Sequence, residues 1–157
     1  MNQNIAIIRM CGKVGIKKKI KDTLSLLRLY KKYHCVVIPN IKPYLGMITK
    51  VKDFITWGEI DKETLKLLLE KRGRLPNKQQ LTENYVKEKL NFTLSQFAEN
   101  IFNFKNNLKD LPGLRLFFKL SPPRGGFERK GTKHPYSMGG ALGYRKEKIN
   151  DLIKKMI

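Results

Sequence analysis

Acidic residues are what this 157-residue chain lacks most: 13 Asp+Glu stand against 33 Lys+Arg, a formal charge of +20. A compact monomer of that charge repels itself, so a polyanionic partner is the economical expectation. Cysteine is scarce too, and Cys11 and Cys35 alone make no disulfide framework. With His34 and His134 they show no metal-ligand spacing, so neither a metal site nor a cofactor is expected. No stretch approaches the roughly 20 consecutive apolar residues that span a bilayer. The apolar run near the start, Ile5-Ala6-Ile7-Ile8, is too short for a signal-peptide core. The expectation is a soluble cytoplasmic protein with no membrane partner.

Signs of catalysis are also missing. There is no Gly-x-x-x-x-Gly-Lys-Ser/Thr phosphate loop. Asp22, Asp53, Glu59 and Asp61 follow no spacing that forces two carboxylates together. Cys35, inside an apolar run, reads as a small buried hydrophobe, and His34 beside it as a packed side chain. The chain is not expected to be an enzyme.

What is present is a globular composition, 41% hydrophobic and 29% charged, with an uneven distribution of charge. Residues 1–60 hold 12 Lys+Arg and 3 acids, for +9. Residues 61–111 hold 10 and 7, for +3, and residues 112–157 hold 11 and 3, for +8. Basic ends around a nearly balanced middle suggest a binding surface rather than diffuse counterion behaviour. The middle reads as a packing or protein-facing module.

The order of elements follows from periodicity. Asn4–Met10 reads as a buried strand ended by Gly12 and Gly15. Ile16, Ile20, Leu24 and Leu27 recur at helical spacing, with a basic outer face. Cys35–Ile38 is a second strand stopped by Pro39, and a helix runs from near Pro43 towards Lys52. Phe54–Trp57 is a third strand, closed by Gly58. Asp61 is expected to cap a helix over 63–72 that ends at Gly73, and Thr82 a short helix through Leu90. Thr93 and Gln96 have capping-box spacing ahead of the apolar stripe Phe97, Ile101 and Phe102. Leu114, Leu116, Phe118 and Leu120 alternate with Arg115, Phe117 and Lys119 as a strand would. Ile149, Leu152, Ile153 and Met156 mark a closing helix.

Two regions could meet a polyanion. Residues 121–145 contain 6 of the 12 glycines, and interleave Arg124, Arg129, Lys130, Lys133, His134 and Arg145 with Phe127, Tyr136 and Tyr144. Glycine lets backbone amides approach phosphates, arginine pairs with phosphate oxygens, and aromatic rings stack on unpaired bases. A flexible basic linker is the competing reading, but it has no need of three aromatics. Its composition offers little to bury, so this loop is expected to be disordered until RNA binds. The second region is Lys13, Lys17, Lys18, Lys19 and Lys21, with Arg28 on the same helix. The turn Gly12-Lys13-Val14-Gly15 precedes a helix N-terminus, where free amides and lysines suit a phosphate. A solvated helix face competes with that reading. Lys50 and Arg115 complete the candidate RNA contacts.

Several segments carry more than composition. Thr23-Leu24 through Arg28-Leu29, His34–Ile38, Gly46–Asp53 and Thr56–Asp61 resemble the ribosomal L-thirty family. Pro122-Pro123-Arg124-Gly125-Gly126-Phe127 and Gly139–Arg145 resemble its long archaeal form, related to the eukaryotic L-seven protein. The chain departs from that pattern at Leu45, Ser121 and Ser137-Met138. The resemblance implies an α+β fold, ferredoxin-like-related: a small three-stranded, largely antiparallel sheet with two helices on one face over residues 1–60. The strand–helix–strand order by itself would suggest parallel pairing. A helical extension (61–111) would follow, then a strand, the basic glycine-rich loop and a C-terminal helix (112–157). The implied function is a non-catalytic constituent of the large ribosomal subunit, bound to large-subunit ribosomal RNA and to neighbouring ribosomal proteins. Whether the small 5S-type RNA lies nearby stays open. The alternative is a free RNA-binding regulator or assembly factor that visits the ribosome transiently.

Overall fold

β1 (Asn4–Arg9) is buried along its whole length because it is the central strand of a sheet covered on both faces. In the computed structural model, which describes residues 3–76 and 79–157, β1 pairs antiparallel with both neighbours. Ile8 lies opposite Cys35 of β2 (His34–Pro39) on one side and Thr56 of β3 (Ile55–Glu59) on the other. The first connection therefore leaves and returns at the same end of the sheet, and no parallel crossover forms.

Alternate residues of β1 face opposite layers. Ile5 and Ile7 join Val36, Ile38 and Ile55 under α1 (Lys18–Leu26) and α2 (Lys42–Val51), which contribute Leu24, Ile48 and Val51. These are the two helices expected on one face. Ala6 and Ile8 join Cys35 and Val37 on the other face, against α3 (Lys62–Arg72), α5 (Leu94–Phe102) and α6 (Ile149–Met156). Leu65, Leu68, Phe97, Ile101, Ile153 and Met156 fill that second layer, with Val86 of α4 (Glu83–Leu90) beside them. A strand buried on both sides has no polar face, which is why β1 reads as a continuous apolar run.

The sheet has five strands, not three. Its order is β4-β2-β1-β3-β5, with β4 (Phe118–Lys119) antiparallel to β2 and β5 (Gly143–Tyr144) parallel to β3. Both added strands are two residues long and carry no periodicity of their own. The alternation over 114–120 is real in its burial, with Leu114, Phe118 and Leu120 inside. Only two of those residues reach the ladder, because the Arg115 amide turns aside to donate to the Arg74 carbonyl.

Three local expectations also change. Gly58 lies within β3 rather than closing it, and a Cβ there would stand 2.1 Å from the Lys146 carbonyl oxygen. The glycine is required by that close approach. Neither Asp61 nor Thr82 caps its helix with a side-chain hydrogen bond; the Asp61 amide instead donates to Asn150 Oδ1 at 3.0 Å. The Thr93–Gln96 capping box forms as expected, and Gly73 ends α3 with its amide donating to the Leu69 carbonyl.

Candidate nucleic-acid interface

The Gly12–Gly15 turn is held from below by Arg9. That guanidinium is 2% exposed and donates to the carbonyls of Cys11 (2.8 Å), Gly12 (2.7 Å) and Leu29 (2.7 Å). Burial lowers its pKa from the usual arginine value, and no carboxylate accompanies it. Three carbonyl oxygens thus fix the strand end, the turn and the end of α1 as one unit. Lys13 projects from the turn, and Lys17, Lys18, Lys19 and Lys21 from the start of α1, all exposed. Among the described residues none of these lysines is ion-paired. No side chain caps the first amides of α1, so that helix start is open to an anion.

Other predicted cations lie apart from this cluster. Arg28 is half-buried in a left-handed conformation (φ 60°) just after α1, Lys50 is exposed on α2, and Arg115 is half-buried.

Lys31 and Lys119, not singled out from the sequence, stand near Lys13. β4 pairs Lys119 with His34, and the charges of Lys119, Lys31, Arg9 and Lys13 all act on that imidazole. Burial first, and these cations second, push His34 down to about 4, so it is neutral at physiological pH. Its ring stacks on Phe117 (4.7 Å between centroids, 18°), and Tyr30 meets Phe117 edge-on at 5.5 Å. Tyr30 is 41% exposed, so aromatic surface stands among cations here, the composition of an unpaired-base site. The signal was present in Tyr30-Lys31-Lys32-Tyr33 and in Phe117 and Lys119, but only the pairing of β2 with β4 unites them.

The glycine-rich loop is folded around Arg145. Arg145 is 3% exposed. It forms a two-pronged ion pair with Glu128 and donates to Thr56 Oγ1 (2.8 Å) and the Ala141 carbonyl (3.0 Å). Its guanidinium also covers the Tyr136 ring at 4.7 Å. Burial alone would raise the Glu128 carboxyl, but the Arg145 bonds outweigh it and hold the group below its ordinary value. Arg145 is therefore a structural tie, its guanidinium turned inward onto Glu128.

Phe127 is likewise turned inward, stacked on Tyr33 at 6.1 Å. The loop buries Pro123, Ala141 and Leu142, and its backbone is bonded internally, for example from the Leu142 amide to the His134 carbonyl. The expectation that it has little to bury does not hold, because Arg145, Tyr136 and Phe127 supply what composition seemed to lack. Arg124, Arg129, Lys130, Lys133 and His134 remain exposed. Tyr144 is 46% exposed, but its hydroxyl donates to Glu59, which pushes the phenol up to about 12.

The arrangement leaves two groups of exposed cations, one on the Lys13 turn and first helix and one in the glycine-rich loop, and no described residues cluster as a metal site. The family model described as Ribosomal protein L30p/L7e matches residues 5–55. The chain is 50% identical over 152 residues to the large ribosomal subunit protein uL30 of Methanococcus maripaludis strain C5, covering 97% of this chain and 98% of that one. It is 46% identical over 149 residues to the uL30 protein of Methanopyrus kandleri, covering 94% and 100%. To that of Archaeoglobus fulgidus it is 50% identical over 152 residues, covering 96% and 98%. With half its residues shared along almost the full length of such relatives, the chain belongs to the L30p/L7e family of ribosomal proteins.

Proposed function

We propose that this protein is a structural, non-catalytic constituent of the large ribosomal subunit that binds large-subunit ribosomal RNA in the cytoplasm. The observation that carries the reading is the cluster Lys13, Lys17, Lys18, Lys19 and Lys21, exposed and not ion-paired among the described residues, beside a turn whose Gly12 carbonyl is held by buried Arg9. These cations, with Arg28, Lys50, Arg115, Arg124, Arg129, Lys130 and Lys133, neutralise phosphates where RNA helices converge. Of the four rings, Phe127 and Tyr136 are half-buried, while His134 and Tyr144 are exposed and open to contact. In this reading residues 1–60 and 112–157 carry the RNA contacts, and 61–111 packs the sheet and faces proteins. Proximity to the small 5S-type RNA belongs to the same reading and is tested by mapping crosslinks from the exposed lysines onto the large-subunit RNAs.

The test is gradient sedimentation of a native lysate in high salt, with and without ribonuclease. Comigration with the large subunit until the RNA is cut supports the scaffold. Sedimentation at the top of the gradient would instead indicate a transiently bound regulator or assembly factor.

A further inference from the structure

The surface is not cationic everywhere. Glu59, Asp61 and Glu147 line one cavity of about 700 Å³, formed where the end of β3, the end of α5 and the turn before α6 meet. In a chain with 33 basic and 13 acidic side chains, three carboxylates in one hollow reverse the local balance. Lys146 and Lys148 also line it, while the guanidinium of Arg145 is already committed to Glu128. The walls are aromatic: Phe102 is 37% exposed and Tyr144 46%. Tyr144 is held in place by its hydroxyl bond to Glu59 and by Trp57, whose ring lies 6.2 Å away.

One atom in this site is left without a partner. Glu59 Oε2 is buried and accepts no hydrogen bond among the described residues, although Oε1 accepts from Tyr144. A buried carboxylate oxygen of that kind is costly until a donor reaches it. A phosphate would face three carboxylates here against only two uncommitted cations, Lys146 and Lys148. A guanidinium fits better on each count. It is planar and lies on an aromatic ring, it is attracted by an acidic rim, and it offers several donors to carboxylate oxygens. The volume falls within the range of specific side-chain and ligand pockets, and exceeds what one methylene stem needs. It therefore admits flanking main chain as well.

We propose that this cavity is a protein-docking site that takes an arginine side chain from an extended basic segment of a neighbouring polypeptide. It lies at the other end of β1 from the Lys13 turn, shares Tyr136 and Tyr144 with the proposed RNA contacts, and depends on the ribosomal reading only for where the partner is met.

The test places p-benzoylphenylalanine at position 102 of the full chain and irradiates large subunits that contain it. The expected product is a ribonuclease-resistant adduct with a polypeptide, crosslinked within a few residues of an arginine. Asp61→Lys with Glu147→Lys, both on exposed side chains, cuts that adduct at least tenfold while the chain still cosediments. The milder Asp61→Asn with Glu147→Gln moves it in the same direction. An adduct with RNA, with a segment lacking arginine, or insensitive to the charge changes overturns the proposal, as does no adduct in subunits that contain the chain. Loss of cosedimentation by the unaltered chain would strike the ribosomal reading instead. In that case the free chain is titrated with acetyl-arginine amide at millimolar concentration, with Trp57, the one tryptophan, as reporter. A fluorescence change absent with acetyl-citrulline amide supports the site, and equal responses overturn it.

Discussion

Between Gly12 and Lys21 the cations stand outward on a turn and a helix with no ion pair among the described residues, whereas between Ser121 and Arg145 one arginine is turned inward to hold the segment together. Both regions read alike as composition: basic, glycine-punctuated and near apolar anchors. Their supports differ in kind. The first is steadied by Arg9 through three carbonyl oxygens, so every lysine above it stays available. The second is steadied by Arg145 through Glu128, so its cations divide into one structural tie and several exposed ones. A basic residue count measures the potential of a surface; only packing determines which charges belong to that surface.

The largest effect is expected from Arg145→Met. It leaves Glu128 without its partner and Thr56 Oγ1 and the Ala141 carbonyl without a donor. The expected loss is about 3 kcal/mol in urea unfolding, with faster amide exchange confined to 121–145. Wild-type stability in this variant would mean that the loop is held by its apolar contacts alone. Arg9→Met comes next, at about 2 kcal/mol, because three carbonyl bonds vanish but no carboxylate is stranded. It also lowers RNA affinity by loosening the Lys13 turn. Arg145→Met does not reach that turn, and the contrast separates the two supports.

A smaller effect is expected from pH. His34 has its pKa lowered from 6.5 to about 4, so the unfolded chain takes up a proton that the folded chain refuses. Its contribution is complete above pH 6.5 and is lost as pH falls from 6.5 towards 4. Glu128, depressed in the fold, adds a loss only at lower pH, once pH drops below the usual carboxylate value and through its own. His34→Phe, which keeps a ring against Phe117, is expected to flatten the upper window and leave the lower one. An unchanged slope between pH 6.5 and 4 would contradict the assignment to His34.

Much of this architecture was legible in the sequence for physical reasons. Helices with one apolar stripe, a true capping box at Thr93 and the apolar run at 5–8 announce themselves through local periodicity. What stayed hidden depends on residues far apart in the chain. β5 exists only because Gly143 and Tyr144 are brought beside Thr56 and Trp57, and β4 only because Phe118 and Lys119 meet His34 and Cys35. The inward course of Arg145 had one local clue, Glu128, the sole acid between residues 112 and 146. Arg9 had another, as a charge in a strand that is otherwise buried and nearly all apolar. The glycine at 58 was misread as a terminator because its reason, the Lys146 carbonyl, lies 88 positions further on.

The central claim is that outward lysines, and not the inward arginines, carry the RNA interaction. It is tested most directly by the salt dependence of binding to a large-subunit RNA fragment. For about six phosphate contacts to irregular RNA, the slope of log affinity against log salt is expected to be roughly −4. Changing Lys17, Lys18 and Lys19 to Gln is expected to bring it to about −2 with stability unchanged within roughly 0.5 kcal/mol. An unaltered slope in that variant, or a slope near zero in the wild type, would contradict the account.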